Sequence, residues 1–235
     1  MISLTNGNNI KDMINKEVWE KLQQDLSQSG VTLVAVSKTK PIGEIKQLYD
    51  CGQRHFGENY VQELTEKQAE LPKDICWHFI GHLQSNKVKL IAPFIHLIHA
   101  VDGFKLFTEI NKQALNNNRI IDVLLQMHIA DEETKFGMDE KELLVFMDYY
   151  EAQKNEVKNV RICGLMGMAT NTENEAQIHS EFSRLHNFFL HLSGTSFFGK
   201  SHFSICSMGM SADYKIAIAA GSNMVRIGSM LFGSR

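Results

Sequence analysis

The apolar, β-branched run VTLVAVSKTKP, residues 31–41, ends by delivering a lysine, Lys38. Strand alternation gives Lys38 the parity of Val34 and Val36, so if those two side chains fill the inside of a closed sheet, Lys38 projects into its top layer. An ammonium there is costly to desolvate. Burial lowers the lysine pKa, and the neutral amine that results is the species that forms a Schiff base with an aldehyde. A lysine that snorkels out of the sheet, or that pairs with Glu58 or Asp102, fits the same spacing. Lys40, of opposite parity and beside Pro41, reads as solvated.

A second constellation lies near the C-terminus. The segment SMGMSADY, residues 207–214, offers Ser207, a flexible Gly209 and Ser211 as the expected cap of a helix whose first N–H groups would face an anion. The segment VRIGS, residues 225–229, adds Gly228 and Ser229, with Arg226 inside the strand. Other polar residues at strand ends are Glu58, Asn59, His82, Asp102 and His128. Met166 reads as core or as a soft wall against a flat ring. The pairs His78/His82 and His96/His99 fall on strand or turn segments, not on a helix where an i, i+4 pair shares one face, and have no matching cysteine or carboxylate set, so no metal site is expected. A lysine amine, a phosphate cradle and an arginine on one rim together suit pyridoxal 5′-phosphate (PLP), whose aldehyde, phosphate and pyridine nitrogen need three such partners.

The elements that must position these residues repeat. Strand-like runs such as RHFGE, CWHFIG, FIHLIHAV, IDVLLQMHI, VRICGLM, HFSICSM and NMVRIG follow the first, and each precedes a helical pattern or stub. Eight such units in 235 residues predict a parallel (β/α)8 barrel, whose active sites lie at the C-terminal strand ends. An open doubly wound sheet is the alternative, but no GxGxxG follows the first strand and the polar residues do not gather at one switch point. The stretch NIKDMINKEVWEKLQQDLSQSG precedes the first strand and should cap the barrel bottom or pack on the ring of helices. A single domain over 1–235 is expected, with 1–30 as its N-terminal helical extension. The formal net charge of −3 without a basic cluster argues against nucleic acid or an acidic membrane as partner. With no leader-like N-terminus, no apolar run long enough for a span and four scattered cysteines, a cytoplasmic protein with reduced thiols is expected.

The segments AVSKTKP, FGENYVQE, WHFIGHLQSNK, GLM, SMGMSAD and VRIGSMLFG resemble those of the pyridoxal phosphate homeostasis protein family, related to the alanine racemase N-terminal domain. The resemblance implies a PLP-binding barrel in which Lys38 carries the cofactor as a Schiff base and Ser207, Ser211, Gly228 and Ser229 surround its phosphate. It also implies that Arg226 approaches the pyridine nitrogen, with Asn59 near the ring; Gly209 and Met166 join the cofactor-binding candidates from their positions at the strand ends. His128, where an asparagine is common, and the polar loop in GLMGMATNTENE depart from the family pattern. The family implies a non-catalytic protein that keeps and delivers PLP to apo PLP-dependent enzymes, and a monomer is expected. A small racemase-like enzyme is the alternative, but it would need a second acid/base on the opposite ring face. Alanine racemase takes that group from an added domain and a partner subunit, and no tyrosine stands at a strand end here to replace it. A cofactor-independent aldolase would leave Arg226 without a role.

Overall fold

Each strand-like run becomes a strand and each following stretch a helix, in strict alternation. The computed structural model describes residues 14–132 and 136–233. The strands are β1 Thr32–Val36, β2 His55–Glu58, β3 Cys76–Phe79, β4 Leu97–Val101, β5 Ile121–Met127, β6 Val160–Gly167, β7 Ile205–Ser207 and β8 Met224–Ile227. All neighbours pair in parallel and β8 closes on β1, with Val34 opposite Arg226. That closure excludes the doubly wound sheet and gives the expected eight-stranded barrel.

The helices after successive strands are α2 Ile42–Asp50, α3 Val61–Glu70, α4 Val88–Ile91 (entered through a 3-10 turn, Ser85–Lys87), α5 Phe104–Asn116, α6 Glu140–Gln153, α7 Glu175–Gly194, α8 Tyr214–Ala219 and α9 Ser229–Phe232. Helix α1, Lys16–Gln28, precedes β1. It turns Trp19, Leu22 and Leu26 inward, Trp19 Nε1–H donates to Gln53 Oε1 at 3.0 Å, and the N–H of Asn15 donates to the carbonyl of Leu231 at 2.7 Å. It therefore packs on the ring beside β1 and α9. Residues 9–13 of the expected helical stretch lie outside the described residues.

Strand parity sorts the core into two layers. Val34, Leu97, Ala100, Leu124, Cys163, Met166 and Met224 fill the barrel interior. Leu33, Ala35, Phe56 and Phe79 belong to the larger cluster between strands and helices. This alternation is what places Val34 inside, as read for β1. Strand β6 needs Gly164, at φ +152°, because a Cβ there would lie 1.8 Å from the carbonyl oxygen of Ile205.

Candidate functional site

The turn that carries Lys38 is braced from three sides. Ser37 is buried, its Oγ–H donates to Glu58 Oε1 at 2.6 Å, and its N–H donates to the carbonyl of Gly57 at 3.0 Å. Lys67 reaches in from α3 and donates to Ser37 O at 2.7 Å, Glu58 Oε1 at 2.8 Å and Glu63 Oε1 at 2.6 Å. Thr39 adopts φ +65° and donates its N–H to Glu63 Oε1 at 2.5 Å. A β-branched residue in the left-handed region costs of order 1–3 kcal/mol and persists only where its surroundings over-determine it. Lys38 itself is half-buried and lines a cavity with Val36, Thr39, Lys40, Gly228, Ser229 and Gly233. The Glu58 carboxyl is fully buried beside Lys67, and burial outweighs that ammonium to raise its pKa.

Lys40 departs from the sequence reading. It is half-buried, and its ammonium donates to the carbonyls of Phe232 at 2.8 Å and Gly233 at 3.4 Å. The C-terminal carbonyls of α9 attract a cation more strongly than a solvated position would.

The loop after β7 also differs in one respect. Ser211 does not cap α8: Asp213 precedes that helix, and its Oδ1 accepts the N–H of Met210 at 2.6 Å. A longer acidic side chain closes this tight turn, which leaves the Ser211 hydroxyl to accept the N–H of Gly228 at 3.3 Å. The loops after β7 and β8 are thereby tied together. Gly209 lies at φ +95°, and a Cβ there would stand 2.6 Å from Ala217 Cβ and 2.9 Å from Tyr214 Cα. Only glycine lets the loop approach α8 this closely. Ser229 opens α9, where the first N–H groups of any helix lack intrahelical acceptors.

Below this rim lies Arg226, 4% exposed. Its guanidinium donates to Ser207 O at 2.9 Å, Ser207 Oγ at 2.7 Å and Gly167 O at 3.0 Å. Burial lowers its pKa to about 10, partly opposed by Asp213, so it remains a cation at neutral pH. All three of those acceptors are uncharged, and a buried cation surrounded in this way favours an anionic or electron-rich ligand. Lysine amine, serine-and-glycine rim and buried guanidinium thus form a donor set that fits PLP.

The remaining expected residues are placed as follows. Met166 is in the interior layer. Asn59 lines a neighbouring cavity with Tyr60, Phe79 and His82, and its Oδ1 is buried without a hydrogen-bond partner. His82 is exposed, stacks on Phe136 and faces Asp102 at 3.4 Å. His128 is half-buried, with Nε2 2.9 Å from the carbonyl of Glu132. Lys38, Gly228 and Ser229 share one cavity, Ser211 joins through Gly228, and Ser207 with Arg226 forms the layer beneath.

Sequence reading missed Lys67, whose placement on α3 gave no sign that it reaches Glu58. It also missed a buried chain of side chains. Ser207 Oγ lies 3.2 Å from His99 Nδ1, His99 Nε2 lies 2.9 Å from His78 Nδ1, and His78 Nε2 lies 2.9 Å from His55 Nδ1. The inward parity of His78 and His99 was the available signal, since a buried histidine must find polar partners.

Residues 16–235 match the family described as alanine racemase, N-terminal domain. The chain is 37% identical over 224 residues to a pyridoxal phosphate homeostasis protein of Aquifex aeolicus, which covers 93% of this chain and 95% of the relative. It is 38% identical over 213 residues to the protein of the same name from Escherichia coli, covering 89% and 88%. Among solved structures it is similar to PipY of Synechococcus elongatus with PLP bound, at TM-score 0.82 and 34% identity over 93% of this chain and 99% of that one. Alanine racemase of Bartonella henselae, 14% identical at TM-score 0.63, shares the barrel, which spans 58% of that chain.

Proposed function

Because the chain belongs to the pyridoxal phosphate homeostasis protein family, built on the alanine racemase N-terminal barrel, we propose that it binds PLP and delivers it to apo PLP-dependent enzymes without a reaction of its own. The observation that carries this reading is Lys38, held on a strained and braced turn, sharing one cavity with Gly228 and Ser229. Bound PLP supplies an aldehyde for covalent capture and a ring that can accept electrons. The Lys38 amine is the nucleophile for that aldehyde. Gly209, Ser211, Gly228 and Ser229 meet the phosphate, Asn59 and Met166 border the ring, and Ser207 holds Arg226 toward the pyridine nitrogen.

Arg226 can only donate hydrogen bonds, so it keeps a facing ring nitrogen unprotonated and the ring a weak electron sink. Racemization also needs a second acid/base group across the ring. His82 is engaged by Asp102 and Phe136, and His128 lies against Glu132. Tyr60 precedes α3 and Tyr214 begins α8. A single barrel domain suffices for the role, since the family match spans nearly the whole chain. Among the described residues no helix is long and apolar enough to cross a membrane.

The test is deuterium exchange at Cα of L- and D-amino acids, followed by NMR, beside reactivation of an apo aminotransferase by the PLP-loaded protein. No exchange with reactivation is expected. Sustained exchange that Lys38→Ala abolishes would make the protein an enzyme and overturn the carrier reading.

A further inference from the structure

The N-terminal end of the barrel, opposite the Lys38 cavity, gathers His55 and Cys76, which open β2 and β3, and His96, which immediately precedes β4. One ligating atom from each, two imidazole nitrogens and a thiol sulfur, lies within 4.8 Å of the others. We propose that these three side chains bind a borderline-soft divalent cation of the zinc type, with the fourth coordination position open to solvent.

The donor set selects this class of ion. Two imidazoles and a thiolate suit zinc and its neighbours, whereas calcium and magnesium require oxygen ligands. Tetrahedral zinc separates such ligand atoms by about 3.3–3.6 Å, given Zn–N near 2.0–2.1 Å and Zn–S near 2.3 Å. His96 is exposed and can close the difference by rotating its ring. Cys76 binds as the thiolate, and its proton passes to solvent.

The backbone beneath the three ligands is already fixed. His55 and Cys76 stand opposite each other in the β2–β3 ladder. The N–H of Cys76 donates to Arg54 O at 2.9 Å, and the N–H of His96 donates to Trp77 O at 2.9 Å. Arg119 holds the approach to His96 through the carbonyls of Ala92 at 2.6 Å and Ile95 at 2.7 Å.

The buried histidine chain then acquires a role. Metal-ligating histidines characteristically donate their other ring N–H to a fixed acceptor, which sets tautomer and orientation. Here Nδ1 of His55 faces His78, so Nε2 is its ligating nitrogen. Ligation through Nε2 places the proton on Nδ1, from which it is donated to His78 Nε2. His78 Nδ1–H then donates to His99 Nε2, and His99 Nδ1–H donates to Ser207 Oγ. One ion on the floor aligns every hydrogen bond of the chain toward Ser207. His78 is thus a positioning residue for the metal.

Titration of the metal-free protein with Co²⁺ tests this. A low-coordinate cobalt spectrum with a near-ultraviolet thiolate-to-cobalt charge-transfer band is expected, displaced by Zn²⁺. Cys76→Ser, at a half-buried position, should abolish the band. His96→Ala should weaken binding, whereas His82→Ala and Cys51→Ser should leave it unchanged. His78→Gln should retain the band and weaken the metal about 10–100-fold. Absence of a charge-transfer band in the parent protein, or its survival in Cys76→Ser, would overturn the site. Unchanged affinity in a folded His78→Gln variant would overturn the positioning role.

Discussion

At the mouth of the barrel Lys38 and Lys40 reach a rim of serine and glycine with the Arg226 guanidinium buried beneath it, whereas at the floor His55, Cys76 and His96 bring imidazole and thiol groups together. The mouth is held by long side chains that cross between elements: Lys67 from α3 to Glu58 and Ser37, Lys40 to the end of α9. The floor is held by short rings bonded in series, His55 to His78 to His99 and on to the Ser207 hydroxyl, and by the N–H of His96 on the carbonyl of Trp77. Long charged side chains can orient a reactive amine and an anion. Rigid rings packed in the interior can be kept uncharged, and they respond to acid. The two ends should therefore fail under different perturbations.

Replacement of Lys38 should have the largest effect. Lys38→Ala should remove the visible absorption band of lysine-bound cofactor, while Lys40→Ala should keep the band and cost only the stability of its ties to α9. Absorbance spectra after gel filtration with PLP check both. Next in size is the rim proposed to hold the phosphate. Ser211→Ala combined with Ser229→Ala should weaken cofactor retention about ten- to a hundredfold for each charge-assisted hydrogen bond lost, or roughly 1.5–3 kcal/mol per bond. Equilibrium dialysis measures this, with His82→Ala as the comparison.

The floor should show itself in pH dependence. Burial lowers the pKa of His78 and His99 well below the ordinary value, and those of His55 and His96 less, each with contributions from neighbouring charges. The unfolded chain then binds more protons than the folded one below about pH 6.5, so stability is lost as pH falls through that range. Glu58, raised by burial, acts in the opposite sense from about pH 4.5 upward, but it is one group against four. Thermal melts should fall by several degrees between about pH 7 and pH 5, and His99→Asn should flatten that slope. The smallest effect belongs to Thr39→Gly, which relieves the positive φ but loses chain entropy. A net change within about 1 kcal/mol, or about 2–4 °C in Tm, is expected by calorimetry.

The barrel was legible because strand parity and the repeated βα pattern are local signals. Val34 and Met166 lie inside the barrel and Phe56 lies outside, as alternation requires. The rim segments were legible as small residues at the ends of β7 and β8, and Gly228 and Ser229 share a cavity with Lys38. Their internal connections were not. Whether Ser211 caps a helix or ties to Gly228 depends on Asp213 winning the turn, and Lys40 finds α9 only because the chain closes on itself. The His55, Cys76 and His96 cluster comes from three separate strands, so no spacing within one segment could show it. The histidine pairs set aside on their sequence context, His78 with His82 and His96 with His99, are not that cluster, which takes only His96 from them.

The central claim is that Lys38 is the residue that captures PLP. Borohydride reduction of the PLP-loaded protein followed by peptide mapping tests it most directly. One pyridoxyl group is expected, on Lys38; a label on Lys40 or Lys105 in place of Lys38 would contradict that capture.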